Sequence, residues 1–197
     1  ALRSVRKVAI VLFDEVEVLD FAGPFEIFSV AGWLGGEQTL NVYTVAGEAR
    51  VIQARGGLQV VPHYRLDDCP PPDIVVVPGG YGTRRQMKNP VLLAWLREQA
   101  GRVELMTSVC TGSLVLGGAG LLEGLPATTH YEEYDLLAGI SPAITVVRGV
   151  RFVDNRAIIT SAGVQAGMDM ALHVVSRLLG EAAARATAAN IEYDWRP

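Results

Sequence analysis

ELMTSVCTGSLVLGGAG, residues 104–120, reads as a strand that runs through a small-residue turn directly into a helix. Residues 104–107 are short and mostly apolar, as suits a strand buried on both faces of a sheet, and 111–119 have helical spacing. Working outward, the same pattern repeats. Residues 7–13 (KVAIVLF), 40–46 (LNVYTVA) and 74–77 (IVVV) are further buried strands, and 24–31 and 91–100 have helical spacing. Strands alternating with helices predict a parallel sheet covered on both sides, the doubly wound α/β class. Two excursion hairpins interrupt it, 51–54 with 58–62 through Arg55-Gly56-Gly57, and 146–153 with 157–161 through Asp154-Asn155-Arg156. The chain finishes in two helices, 164–179 and 181–190, separated by Gly180 as a C-cap.

A chain of 197 residues, 50% hydrophobic and 19% charged, has material for one sizeable core, so one domain is expected over 1–197. The formal net charge of -4 offers no general cationic field for nucleic acid or an anionic membrane, and Arg3, Arg6 and Lys7 read as a solvated basic tail. No apolar run reaches membrane-span length and no signal-peptide pattern opens the chain, which leads us to expect a cytoplasmic protein. Cys69 and Cys110 make no disulfide framework. The three histidines, His63, His130 and His173, are scattered without metal-ligand spacing, so neither a metal nor another cofactor is expected.

In open α/β sheets, sites form beyond the carboxyl ends of the strands, which directs attention to four loops. The first is the turn at Cys110. It lifts a side chain out of the backbone at a helix N-terminus, where free N–H groups and the helix dipole favour a thiolate and lower its pKa. The alternative is a buried inert cysteine, which the companion loops argue against. The second loop, 77–82 (VPGGYG), is no phosphate loop; Gly79 and Gly80 suit an anion hole beside a nucleophile. In the third, Asp20 lies among apolar residues, where desolvation and a neighbouring thiolate raise its pKa towards acid/base use. Asp20 is also suited to capping a helix with Pro24 at its first position, while Asp14, Glu15 and Glu17 read as solvated charges. The fourth loop, 127–131 (ATTHY), places His130 as a proton carrier or, preferably, as a pocket wall.

Together 19–28 (LDFAGPFEIF), 77–82, 108–124 (SVCTGSLVLGGAGLLEG) and 127–137 (ATTHYEEYDLL) resemble the ThiJ/PfpI superfamily, and the resemblance spans almost the whole chain. It implies a flavodoxin-like core related to class I glutamine amidotransferases, and within the superfamily the branch of isonitrile hydratases and AraC-type sensor domains. By that resemblance Cys110 falls on the family nucleophile, Asp20 on its partner carboxylate, Thr111 on a substrate-orienting hydroxyl, and Gly79 and Gly80 on the anion-binding backbone. Protease-type members carry His directly after the nucleophile; Thr111 stands there instead, so peptidase activity is not expected. Tyr131 replaces a common Trp and Tyr81 lines the mouth, both reshaping the pocket.

Three functions compete. The leading expectation is hydration of an isonitrile to an N-substituted formamide through a Cys110 thioimidate. A second is a non-catalytic small-molecule sensor; nucleic-acid binding is not expected, because a helix-turn-helix extension does not fit before Pro197. A third is glyoxalase or deglycase chemistry on small aldehydes with Cys110, Asp20 and His130. The resemblance also implies a homodimer.

Overall fold

The computed structural model describes residues 4–48 and 50–197; Arg3 of the basic cluster lies outside them. In chain order the strands and helices are β1 (Arg6–Val11), α1 (Val18–Ala31), β2 (Leu40–Ala46), β3 (Ile52–Gln53), β4 (Gln59–Val60), β5 (Tyr64–Arg65), β6 (Ile74–Val77), α2 (Thr83–Gln86) and α3 (Pro90–Ala100). They continue as β7 (Leu105–Val109), α4 (Gly112–Gly118), β8 (Pro126–Ala127), α5 (Tyr134–Ala138), β9 (Thr145–Val146), β10 (Phe152–Asp154), β11 (Ile158–Ser161), α6 (Gln165–Leu179) and α7 (Glu181–Asn190).

Seven strands form the central sheet in the order β10-β11-β7-β6-β1-β2-β5, parallel except for β10. Its middle strands β1, β6 and β7 are apolar runs with both faces covered; Val8, Ala9, Ile10, Val75, Val76 and Leu105 are all fully buried. Helices α1, α6 and α7 pack on one another at one face, and α2, α3 and α5 gather around α4 at the other. This is the expected mostly parallel, flavodoxin-like α/β fold. Register aligns the strand ends: Val77 pairs with Ser108 and Ser161 with Val109, so the segments leaving β6, β7 and β11 emerge side by side.

Three local expectations change. Residues 158–161 do not belong to an excursion; they form β11, parallel to β7, and β10 folds antiparallel onto its outer edge. The Asp154-Asn155-Arg156 turn is as expected, but the ladder beyond it is made with β7, about fifty positions away in sequence. Val146 belongs instead to β9, which pairs with β8. Helix α1 begins at Val18 and carries Pro24 inside it, so Asp20 is a first-turn residue and not the cap, which is Glu17. A proline at that position forfeits an intrahelical hydrogen bond, and burial of Phe21, Ile27 and Phe28 carries the helix through it. The first hairpin, β3 with β4, is a separate two-stranded excursion as expected.

Among the described residues no helix is long and apolar enough to cross a membrane.

Candidate active site

Cys110 closes β7 and occupies the left-handed region, φ 55°, which is strained for a residue with a Cβ. Three groups hold the strain in place. Cys110 N–H donates to Ser161 O at 3.0 Å and to Ala162 O at 3.2 Å, and the Thr129 hydroxyl donates to Cys110 O at 3.0 Å. The turn is therefore pinned to β11 on one side and to the segment after β8 on the other. Its side chain is 7% exposed at the floor of a cavity of about 140 Å³, lined by Tyr81, Thr111, His130, Val164 and the charged side chains above them.

Asp20 is fully buried, and Gly79 N–H donates to its Oδ2 at 3.1 Å. Its Oδ1 has no hydrogen-bond partner of good geometry among the described residues, although the Val164 N–H and the Cys110 thiol lie close enough to favour its charge. Burial dominates and, with the nearby Glu17 carboxylate, raises the Asp20 pKa to about 7 against the opposing Gly79 N–H. Burial likewise pushes the Cys110 thiol up to about 12, followed by the Asp20 charge, while the N–H and hydroxyl of Thr111 pull the other way. The sequence argument for a lowered thiol pKa is thus overturned. A helix dipole acts weakly over the seven residues of α4, and desolvation outweighs it. The resting pair is a thiol beside a carboxyl poised near neutrality.

The glycines do something other than form an open anion hole. Gly79 N–H serves Asp20, and Gly80 N–H donates to Thr111 Oγ1 at 2.9 Å. A Cβ on Gly79 would stand 2.7 Å from Thr111 N, 2.8 Å from Asp20 Oδ2 and 2.8 Å from the Cys110 Cβ. Only glycine lets this loop touch Cys110 and the Asp20 carboxyl together. Gly79→Ala is expected to lower stability by about 1–3 kcal/mol, the usual cost of overpacking, read as a lower denaturation midpoint; an unchanged midpoint would mean the cradle can open.

On the far side, a Cβ on Gly167 would stand 2.6 Å from Val109 Cγ1, so α6 approaches β7 closely. That approach sets Val164, itself at φ 45°, against the pocket. His130 packs its ring on Gly163 and on Tyr131, with centroids 4.6 Å apart, and its Nδ1 accepts the Glu132 N–H at 3.2 Å. It lines the cavity with one nitrogen already engaged.

Sequence reasoning missed the rim. Arg55, in the β3–β4 excursion, lies 5.1 Å from the Tyr81 ring centroid and pairs with Glu17 at 3.0 Å. Arg84 lies 5.8 Å from the same ring and pairs with Glu133 at 2.6 Å. Glu17 is therefore no idle loop charge: it anchors Arg55 and acts electrostatically on both buried acids. The excursion is docked here through Glu15 N–H to Gln53 O, 2.8 Å, and Arg55 N–H to Val16 O, 3.0 Å. Gly56-Gly57 signals a turn, but nothing local announces where that turn lands.

A protein-family profile described as the DJ-1/PfpI family matches residues 6–177. Over 187 residues the chain is 36% identical to an isonitrile hydratase of Pseudomonas putida, covering 95% of this chain and 78% of that one. It is 30% identical over 175 residues to the HTH-type transcriptional regulator GbdR of Pseudomonas aeruginosa, covering 89% of this chain and 47% of the regulator, about half its length. Among solved structures, a ThiJ/PfpI family protein from Pseudomonas syringae superposes with a TM-score of 0.87 at 33% identity, over 98% of this chain and 77% of that one.

Proposed function

The chain belongs to the DJ-1/PfpI family, and from that premise we propose that it is a cysteine-dependent hydratase converting a small isonitrile into an N-substituted formamide. One observation carries the proposal: a fully buried carboxyl with a pKa near 7 adjoins the strained cysteine, an arrangement that supports a nucleophile with a proton carrier beside it. The likeness to a hydratase supports the choice of substrate class.

In this reading the Cys110 sulfur bonds to the terminal carbon of the isonitrile while Asp20 takes the thiol proton and returns it to that carbon, giving a thioimidate. Water then adds to the same carbon, with one proton passing through Asp20 to nitrogen. Collapse of the tetrahedral species breaks the carbon–sulfur bond, restores the thiol and releases the formamide. One water is consumed, and no oxidant or reductant is required. The Thr111 N–H and hydroxyl, both favouring charge on the sulfur, steady it during attack and departure. With Thr111 directly after Cys110, the position that carries histidine in protease-type members supplies no imidazole for peptide hydrolysis.

The test is formation of N-cyclohexylformamide from cyclohexyl isocyanide. A rate well above that in buffer is expected; a rate equal to buffer would remove the proposal. The second reading, a ligand-sensing domain, is favoured by the alignment to about half of a regulator. It predicts saturable binding of a small molecule without turnover. The proposal extends to one domain over residues 1–197, working as a cytoplasmic homodimer without a cofactor.

A further inference from the structure

Thr83, the first residue of α2, is fully buried in a loop that is otherwise glycine, tyrosine and arginine. It stands 2.7 Å from Gly80 O and 3.1 Å from Thr111 Oγ1. Thr111 Oγ1 already accepts the Gly80 N–H at 2.9 Å, and its own proton has Gly80 O at 3.2 Å as one destination. That carbonyl is crowded: it also faces the Thr83 N–H at 3.1 Å and Arg84 Nη1 at 3.3 Å. Arg84 Nη1 further donates to Thr83 Oγ1 at 3.2 Å.

A hydroxyl has one proton to give and two lone pairs to accept with, so the arrangements of the two threonine protons fall into two kinds as far as the sulfur is concerned. In one kind, Thr111 donates into the loop, to Gly80 O or to Thr83, which leaves the sulfur without a hydroxyl donor. In the other, Thr83 donates to Thr111 Oγ1, and the Thr111 proton is free to turn to the sulfur, which shares its cavity and whose charge the Thr111 hydroxyl is near enough to favour. Arg84, by occupying Thr83 Oγ1 as a donor, favours the second.

We propose that Thr83 is a positioning residue: its hydroxyl donates to Thr111 Oγ1 whenever negative charge forms on the Cys110 sulfur, so that the Thr111 hydroxyl is aimed at the sulfur and not back into the loop. The inference rests on Cys110 being the reactive atom, but not on the substrate. Both threonine hydroxyls rotate in place, so the switch needs no backbone movement. It also gives the Arg84–Glu133 pair at the rim a route to the sulfur, because Arg84 biases which way the hydroxyls point.

The experiment is the rate of Cys110 alkylation by iodoacetamide across neutral to mildly alkaline pH, with Cys69 read separately by peptide mass as an internal control. Thr83→Val is expected to slow Cys110 about fivefold in a line parallel to the wild type, the size of one modest hydrogen bond, with Cys69 unchanged. Thr83→Ser should return the rate to within about twofold, since the hydroxyl alone is required. Thr111→Val should slow Cys110 at least as much, and adding Thr83→Val to it should change nothing further. Thr83→Ala lacks the same donor and is expected to match Thr83→Val, keeping the measurement available if the valine variant folds poorly. Coincident wild-type and Thr83→Val lines, or a double variant slowed by the product of the two single effects, would overturn the proposal. Failure of isonitrile turnover leaves this readout intact, because alkylation reports the sulfur itself.

Discussion

Replacing Asp20 with Asn is expected to lower the proposed isonitrile turnover by about a thousandfold while making the fold more stable above neutral pH. The first half follows from geometry: the carboxyl is the titratable group held by Gly79 N–H beside the thiol, and an amide cannot carry the proton from sulfur to carbon. The second half follows from linkage. Burial raises the folded pKa to about 7 from the ordinary value of 3.8. Between those values the folded state binds the proton and the unfolded state does not. The carboxyl's contribution is therefore fully present below about pH 4 and is lost as pH rises to about 7. At about 1.4 kcal/mol per pH unit, the difference amounts to about 4 kcal/mol. Denaturant midpoints of wild type and Asp20→Asn should diverge as pH rises from 4 to 8, with the variant the more stable at 8. Parallel midpoints would mean that Asp20 is solvated and ordinary. Wild-type turnover should rise through pH 7 as the carboxylate forms, with the thiol supplying the proton.

Cys110→Ala is expected to abolish turnover, by a factor on the order of 10⁴ or more, because every later step passes through the bond to sulfur. Fold stability should change little, since the side chain faces an open cavity and its loss leaves no sealed void. Cys110→Gly separates the two roles further. It removes the proposed nucleophile and also relieves the left-handed strain at φ 55°, a release of about 1–2 kcal/mol. A glycine variant that is inactive yet unfolds at or above the wild-type midpoint is the expected outcome. A glycine variant that is markedly less stable would show that the cysteine side chain holds the turn together. Strain at a functional atom, maintained by Ser161, Ala162 and Thr129, is what the account requires of this position.

The parallel sheet was legible because strands covered on both faces betray themselves as unbroken apolar runs, as in KVAIVLF and IVVV, and because Gly180 punctuates the last two helices. The four loops could be named because they follow those strands. Other features depend on which distant segment covers which. Residues 158–161 carry the same β-branched signal whether they close a hairpin or lie beside β7, and only the long-range ladder decides. Pro24 pointed to a helix start that tertiary burial overrode. The raised pKa of Asp20 was legible from its apolar neighbours, but the protonation of Cys110 was misjudged for a related reason: a helix N-terminus can be seen in a sequence, whereas the desolvation that dominates Cys110 is a property of the packed cavity. Arg55, Arg84 and Thr83 had no local signal at all. Their roles arise from an excursion docking on the 14–17 segment and from a loop folding back on Thr111.

The most direct test of the account is acid quenching of the protein during turnover of cyclohexyl isocyanide, followed by peptide mass analysis. The account predicts an adduct of one isonitrile on the peptide carrying Cys110, accumulating in Asp20→Asn if breakdown is slowed more than formation, and absent from Cys110→Ala. Formamide production with Cys110 unmodified throughout, or an equal rate in Cys110→Ala, would contradict it.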